Sequence, residues 1–483
     1  MNSPIEQLLG QPEDKTLEFK RDLSSPRNAL KTLVAFANSA GGRLVLGVGD
    51  DRRVVGVVDP LDEEERICNL IADSIAPRLV PNVELLSLED HTLLVVEVFP
   101  SGSRPHYLTR YGPEDGVFVR LGSSNRQAGA DLIAELRRSA QGVVFDELPM
   151  PELSKEDLDL SAAQRLFGDS RKLNDKTLET LKLLRREQNR LVPTQGAMLL
   201  FGKKRERYFP DAWVQCGRFR GLDKVDIFDQ AEIHEHLPDA VTAIELFLKK
   251  HAFKSAKFGA MRREDVWSIP LTILREAIVN ALVHSDYSQR GSPIRVAFFD
   301  DRIDIESPGL LLPGMTVEDM KSGVSKIRNP VIARVFRELG LIEQWGSGVR
   351  RIFAEAKRQG LPEPVITEIA TGLRFSIYLQ EPVRVGLVDH SQSGAQSGAQ
   401  SEGILHLLET GPLSASDLVK GLGLKSKTGA FKRTIKELLE LDLIAYTIPD
   451  KPDSRLQQYR LTEQGQQAVL HQQSEATKGQ NDD

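Results

Sequence analysis

The sequence predicts an α+β protein of several domains, and three observations carry the prediction. First, 483 residues with 40% hydrophobic and 27% charged side chains describe a globular chain long enough for about three domains, at roughly 150 residues each. Second, short alternating strands and helical-period segments follow one another through residues 1–380. Third, the repeated tetrapeptide in SQSGAQSGAQ marks 381–400 as a flexible linker, because small polar residues bury no core. It leads to a small domain at 401–468 and a disordered tail at 469–483.

Charge and cysteine content narrow the function classes. Sixty-three basic against 69 acidic residues give a net charge of −6, so nucleic-acid affinity must come from local basic patches. Cys68 and Cys216 are far apart and have no metal-ligand spacing, which predicts a reducing compartment. The start has no basic region followed by an apolar run, and no apolar stretch approaches membrane-spanning length. The expectation is a cytoplasmic protein with no membrane partner.

Residues 1–140 read as one mixed α/β domain. A strand at 17–19, a helix at 28–39 and a strand at 43–48 are expected, the last paired with 54–58 across a glycine-containing turn. A helix at 63–75 precedes a hairpin of 83–87 with 92–98. A strand at 116–120 and a helix at 131–138 close the domain. Glu13 and Glu18 flank the first strand and Asp50 lies in a turn. Lys20, Arg21, Arg120 and Arg126 are candidate phosphate contacts.

Residues 141–265 read as a helical and mixed connecting region. Its helices are expected at 155–167, 176–184 and 239–251, with a strand or short helix at 197–201 and a strand at 212–218. His234 and His236 have no third ligand nearby, so no zinc site is expected.

Residues 266–380 form the domain with the clearest chemistry. In IPLTILREAIVNALVHSDY the apolar residues recur at helical spacing on more than one face, so the helix should be largely buried. Glu276, Asn280 and His284 follow at four-residue intervals and share a face. A buried carboxylate and carboxamide are costly unless paired or given a ligand. Such a pair suits a nucleotide site, the amide oxygen taking Mg²⁺ and the carboxylate orienting or deprotonating water. Strands at 294–299 and 302–305, a helix at 330–339, glycines at 346 and 348 before another helix, and a strand at 375–379 complete the region. Glycines allow close backbone approach and a helix start attracts anions.

In 401–468, helices at 403–409, 417–421 and 428–441 precede a hairpin of 444–448 with 458–461, the pattern of a winged helix-turn-helix. Lys425, Lys427, Lys432, Arg433 and Lys436 cluster on the third helix and its approach, as a DNA major-groove helix requires.

Two segments also resemble known families. EDKTLEFKRDL, then LKTLVAFANSAGGRLVLGVGDDRRVVGV and GVFVRLGSSNRQA, resemble the Schlafen AlbA-type domain. That resemblance implies nucleic-acid binding, RNA included. In members that cleave RNA it implies a three-carboxylate metal site. Glu13, Glu18 and Asp50 match those positions and would hold divalent ions that activate water.

REAIVNALVHSDYS resembles the first motif of the divergent GHKL ATP-binding fold found beside such domains. This implies an α/β sandwich, ATP and Mg²⁺, with Glu276 as general base and Asn280 as Mg²⁺ ligand. His284 and Gly309 join the nucleotide site, and Glu306 takes the adenine-recognising aspartate position. Leu310 replaces a motif glycine. Gly346, Ser347 and Gly348 match the phosphate motif, and 322–330, with Arg328, would be the lid. The connecting block resembles that of RecG-related proteins, although the chain has no P-loop lysine motif for a helicase.

The leading expectation is a nucleotide-responsive, DNA-binding transcriptional regulator, with ATPase activity open. It would be a homo-oligomer, since winged helices often read paired half-sites. The alternatives are an ATP-gated metal-dependent nuclease and a scaffold whose sites have decayed.

Overall fold

A computed structural model of the chain describes residues 4–168, 171–252, 254–258, 263–267, 269–342, 348–379 and 403–422, with short stretches between 434 and 466. The chain divides into two compact units, residues 1–384 and 385–483. Among the described residues no helix is long and apolar enough to cross a membrane.

The first unit begins with a sheet of four strands. β1 (Leu17–Lys20) runs parallel to β2 (Gly42–Leu46), joined by α1 (Pro26–Asn38). Proline in its first turn suits α1 to a helix start, and Leu33, Val34 and Phe36 are fully buried beneath it. α1 hands over to β2 through Gly41 at φ +82, where a Cβ would lie 2.7 Å from the Val98 carbonyl oxygen; only glycine fits there. α2 (Pro60–Ser74) comes next, and β3 (Asn82–Leu88) and β4 (His91–Val98) complete the order β1-β2-β4-β3.

The strand expected at 54–58 is a loop bridged only at Val48–Val54. The amides of Val55 and Gly56 both fold back to the Gly47 carbonyl, at 2.8 and 3.0 Å, which ends any ladder. A hairpin of β5 (Phe118–Leu121) and β6 (Ser124–Gln127) and the helix α3 (Ala130–Ala140) close this domain.

The expected boundary at 265/266 does not separate two domains. Past α4 (Leu160–Phe167), the chain forms a hairpin of β7 (Leu184–Glu187) and β8 (Arg190–Pro193), then α5 (Gln195–Phe201). Gln188 and Asn189, both at positive φ, make the two-residue turn, and so the expected helix at 176–184 ends early.

β9 (Val214–Arg220), β10 (Asp226–Ile233) and α6 (Leu237–His251) come next. They lead to α7 (Leu271–His284), β11 (Ile294–Phe298) and β12 (Arg302–Pro308). After α8 (Val317–Ser322), α9 (Pro330–Glu338) and α10 (Gly348–Arg358), the hairpin of β13 (Val365–Ile369) and β14 (Gly372–Tyr378) ends the unit.

One six-stranded sheet, in the order β10-β9-β11-β12-β14-β13, unites strands of the connecting region with strands of residues 266–380. β9 is the parallel neighbour of β11, Val214 opposite Ile294. One apolar core runs from Met150 to Leu379. The physical reason is hydrogen bonding: β9 would leave its edge unpaired in a separate domain.

In the second unit, residues 403–408 are helical. Ser414 and Asp417 form a capping box that starts α11 (Ala415–Gly421). β15 (Leu413–Ser414), β16 (Ile444–Tyr446) and β17 (Gln458–Leu461) form a sheet with β17 in the middle. The hairpin expected of a wing is therefore present. Most of the third helix lies outside the described residues, as do Lys425, Lys427, Lys432, Arg433, Lys436, the linker 381–400 and the tail.

Candidate functional site

α7 is apolar on most of its circumference, and Ile273, Leu274, Ala277, Ile278, Leu282 and Val283 are buried in the core. Its remaining stripe, Glu276, Asn280 and His284, lines a cavity of about 430 Å³. The other walls come from Ile305 and Ser307 of β12, the loop 309–312, the segment 323–328, Arg337 of α9, and Gly348 and Arg351 of α10.

Both oxygens of Glu276 are engaged. Asn280 Nδ2 donates to Oε1 at 3.3 Å, and Arg351 Nη2 donates to Oε2 at 2.8 Å. The carboxylate lies so close to the start of α10 that a Cβ on residue 348 would overlap it. Gly348 is thus fixed by a close approach.

Asn280 presents nitrogen to Glu276, which leaves its oxygen as the end available to a cation. Oxygen donors of this kind fit Mg²⁺ shared with phosphates and water. Among the described residues no group of three His, Cys, Asp or Glu side chains is placed to hold a metal without a ligand's help. Burial pushes the His284 imidazole down to about 4, so at neutral pH it is uncharged and serves as a neutral donor or acceptor.

Four cations, Lys326, Arg328, Arg337 and Arg351, line the cavity with the single carboxylate of Glu276. Ile305, Leu310, Ile366 and Phe375 supply apolar wall. An anionic end and a flat apolar end are the ligand features such a lining accepts. Arg328 is enclosed, and burial brings its guanidinium down to about 10. It pairs with Glu135 of α3 and donates to the Leu310 carbonyl. Gly309, at φ +103, leaves room for that guanidinium, 3.1 Å from where a Cβ would stand.

Glu306 is not part of the cavity. Ile303 and Ile305 are buried in the core, so strand alternation turns Ile305 and Ser307 inward and Glu306 to the opposite face. There Lys224 and Arg374 hold it at 2.9 and 2.8 Å. Burial raises its pKa, but these cations outweigh burial and leave it below the usual carboxylate range. The alternation from Ile303 was the signal in the sequence that assigns Ser307 instead. Gly346 and Ser347 lie outside the described residues. Sequence reasoning placed Lys326 only as part of the expected lid 322–330 and missed Arg337 and Arg351; neither of these had a local signal, because each looks like a surface cation.

Among the described residues no group of three His, Cys, Asp or Glu side chains is placed to hold a metal, and two of the three amino-terminal carboxylates have protein partners. Glu18 is buried, and its Oε2 accepts from Arg120 at 2.6 Å while Lys20 holds Oε1. Glu13 accepts the Phe19 amide at 2.9 Å, a backbone cap. Asp50 stands in the turn after Gly49.

Arg120 is fully buried, so it is a strut and not a surface contact. It also donates to Asn125 Oδ1 at 3.0 Å, and Asn125 to Thr32 Oγ1 at 2.8 Å. What opens to solvent is a shallow groove of about 420 Å³ lined by Lys20, Lys31, Arg126, Asn28, Thr32, Ser124 and Asn125 with Glu18. Three cations and several neutral hydrogen-bonding groups suit a phosphodiester backbone.

The groove's domain and the cavity share a wall. Leu310 packs with Val117, Val119, Ile133 and Leu136. The Gly314 amide donates to the Ser39 carbonyl at 2.9 Å. Lys15 pairs with Glu368 at 2.6 Å, and Glu368 accepts the Leu311 amide at 2.9 Å.

Residues 13–129 match the family model "Schlafen, AlbA_2". Residues 291–379 match HATPase_c_4, described as "Putative ATP-dependent DNA helicase recG C-terminal"; α7 precedes that match. Residues 399–462 match the C-terminal domain of Fic-like proteins, Fic standing for filamentation induced by cAMP. No curated protein matches the chain.

Among solved structures, the DIP2311 protein from Corynebacterium diphtheriae is 19% identical over 97% of each chain, with a TM-score of 0.42. The N-terminal domain of a RecG-related protein from Nitrosomonas europaea is 28% identical over 26% of this chain and 90% of that one, with a TM-score of 0.21. By its family-model matches the chain carries a Schlafen AlbA_2 domain at 13–129 and, following it, an ATPase-like domain of the recG C-terminal type at 291–379.

Proposed function

We propose that the protein is a nucleotide-responsive regulator that binds nucleic acid. A nucleoside triphosphate with Mg²⁺ would occupy the cavity beneath α7. The observation that carries this reading is the Glu276–Asn280 stripe facing a cavity with four cations. Asn280 would ligate Mg²⁺, the cations would take the phosphates and His284 would stay neutral. Magnesium would supply charge neutralisation at the phosphates.

The groove at Lys20, Lys31 and Arg126 would hold nucleic acid, and the second unit would bind DNA through Lys425, Lys427, Lys432, Arg433 and Lys436. The tie of Glu18 to Arg120 and Lys20 favours binding over metal-dependent cleavage at the first domain. Nucleotide would act on that domain through the shared wall at Leu310, Gly314 and Arg328, since a ligand shifts a conformation only by favouring one state. Transcription is the process this combination fits.

The test is DNA and RNA affinity by fluorescence anisotropy, with and without ATP and Mg²⁺. A coupling of about 1–3 kcal/mol predicts a shift of roughly five- to 150-fold. An affinity that ignores nucleotide would remove the regulatory part of the reading.

A further inference from the structure

The segment after α5 carries five consecutive charged residues, Lys203, Lys204, Arg205, Glu206 and Arg207, and none of them lines the nucleotide cavity. An open concavity of about 510 Å³ is lined by this run, by Arg165 of α4, and by His234, Glu235 and Asp239 where β10 turns into α6. Arg205 is buried in its wall at 5% exposure, and its Nη1 and Nη2 donate to the Glu235 and His234 carbonyls at 2.9 and 3.0 Å. Its one ion pair among the described residues, with Glu206, spans 3.9 Å, and Glu206 is itself bonded to His234 Nδ1 at 2.6 Å. A buried guanidinium held by carbonyls keeps its charge largely uncompensated, and burial draws its pKa down. That cost falls when an anion approaches.

The rim is under-neutralised as well. Lys203 donates to the Glu156 carbonyl at 2.7 Å, and Lys203, Lys204 and Arg207 make no ion pair among the described residues. Arg165 reaches Asp239 only at 3.5 Å, with 68% of its side chain exposed. Of the three acids in the lining, Glu206 is taken by His234 and Asp239 by Arg165, which leaves Glu235 against three cations. His234 is half-exposed, and its ring stacks on Trp213 with centroids 5.3 Å apart and planes 17° from parallel. An aromatic face therefore stands beside the cations.

We propose that this concavity is a second nucleic-acid contact, which takes a single-stranded segment: the cations hold its phosphates and a base stacks on His234. Single-strand sites combine a basic groove along the backbone with an aromatic platform, and a duplex has no unstacked base to offer. The lining shares no residue with the groove at Lys20, Lys31 and Arg126, so the two surfaces contribute separately to affinity. The contact goes beyond the reading of that groove and of the second unit.

The experiment measures fluorescence anisotropy of the full chain with a labelled mixed-sequence single-stranded DNA, its RNA counterpart and the DNA duplex. Lys204→Glu/Arg207→Glu should weaken single-strand binding about tenfold and lower the salt slope by about 1.4, the value of two phosphate contacts on a single strand. The same charge change at Arg78 and Arg110, exposed residues that line neither surface, controls for net charge and should cost less than about threefold. His234→Ala should weaken single strands about fivefold or more and the duplex less than about twofold. His234→Phe should keep most of the single-strand affinity, because it keeps the platform.

Single-strand affinity that Lys204→Glu/Arg207→Glu leaves unchanged, or lowers no more than the Arg78/Arg110 control does, overturns this contact while the groove reading stands. No loss with His234→Ala, or an equal loss on the duplex, overturns the single-strand assignment. Absence of binding to all three probes by wild type overturns both surfaces. Circular dichroism of each variant separates these outcomes from loss of fold.

Discussion

Replacing Glu135 by alanine probes the wall that the first domain shares with the nucleotide cavity. Glu135 and Arg328 retain only 11% and 9% of their side-chain exposure, and burial already draws the Arg328 guanidinium down to about 10. Without Glu135 that cation keeps the Leu310 carbonyl and loses its counter-charge in a site with little water. Removing one partner of a buried pair costs about 3–5 kcal/mol, most of it the penalty on the charge left behind.

Chemical denaturation should show that loss in the transition of the first unit. The double variant Glu135→Ala/Arg328→Met should recover most of it, because the stranded charge is gone and the volume is kept. The double-mutant cycle then gives a coupling well above 1 kcal/mol. A single variant that costs under about 1 kcal/mol, or a double variant that costs the sum of the two singles, would refute the reasoning. The pair would then be a surface contact with no part in joining the domains.

Other expectations rest on the same geometry. Gly348→Ala places a Cβ on the Glu276 carboxylate, so it should cost about 1–3 kcal/mol in stability and break the pair with Arg351, read by denaturation. Asp146 accepts the Val331 and Ile332 amides at 2.7 and 3.1 Å at the start of α9, and burial lifts its pKa to about 7. From about pH 4 to 7 the folded chain therefore holds a proton that the unfolded chain releases, and this group's contribution to stability falls as pH rises. Asp146→Asn should remove that slope and gain stability relative to wild type between pH 5 and 8, as thermal melts across pH would report. Replacing Lys20, Lys31 and Arg126 together by alanine should weaken RNA or DNA binding across sequences and flatten its salt dependence by up to about three counterions.

What the sequence revealed was what it encodes locally. The α7 stripe of Glu276, Asn280 and His284 was legible because four-residue spacing on an apolar helix is a property of fourteen neighbouring residues. The Schlafen-like domain was legible because its blocks recur in order. Long-range pairing was not. β9 and β11 are joined Val214 to Ile294, and nothing in either strand names its partner, so the connecting region looked like a separate piece. Glu18 and Arg120 lie 102 residues apart, and as isolated residues they suggested a metal ligand and a phosphate contact. Glu306 was misplaced for a different reason, since a motif match was followed where the alternation from Ile303 pointed to Ser307. Arg351 lies on an amphipathic helix, where a cation ordinarily faces solvent.

The account stands on a nucleotide in the cavity under α7, and calorimetric titration of ATP with Mg²⁺ into wild type and Asn280→Ala addresses that directly. Saturable binding by wild type, lost in a folded Asn280→Ala, is the result the account predicts. No binding by wild type, or unchanged binding by the variant, would contradict it.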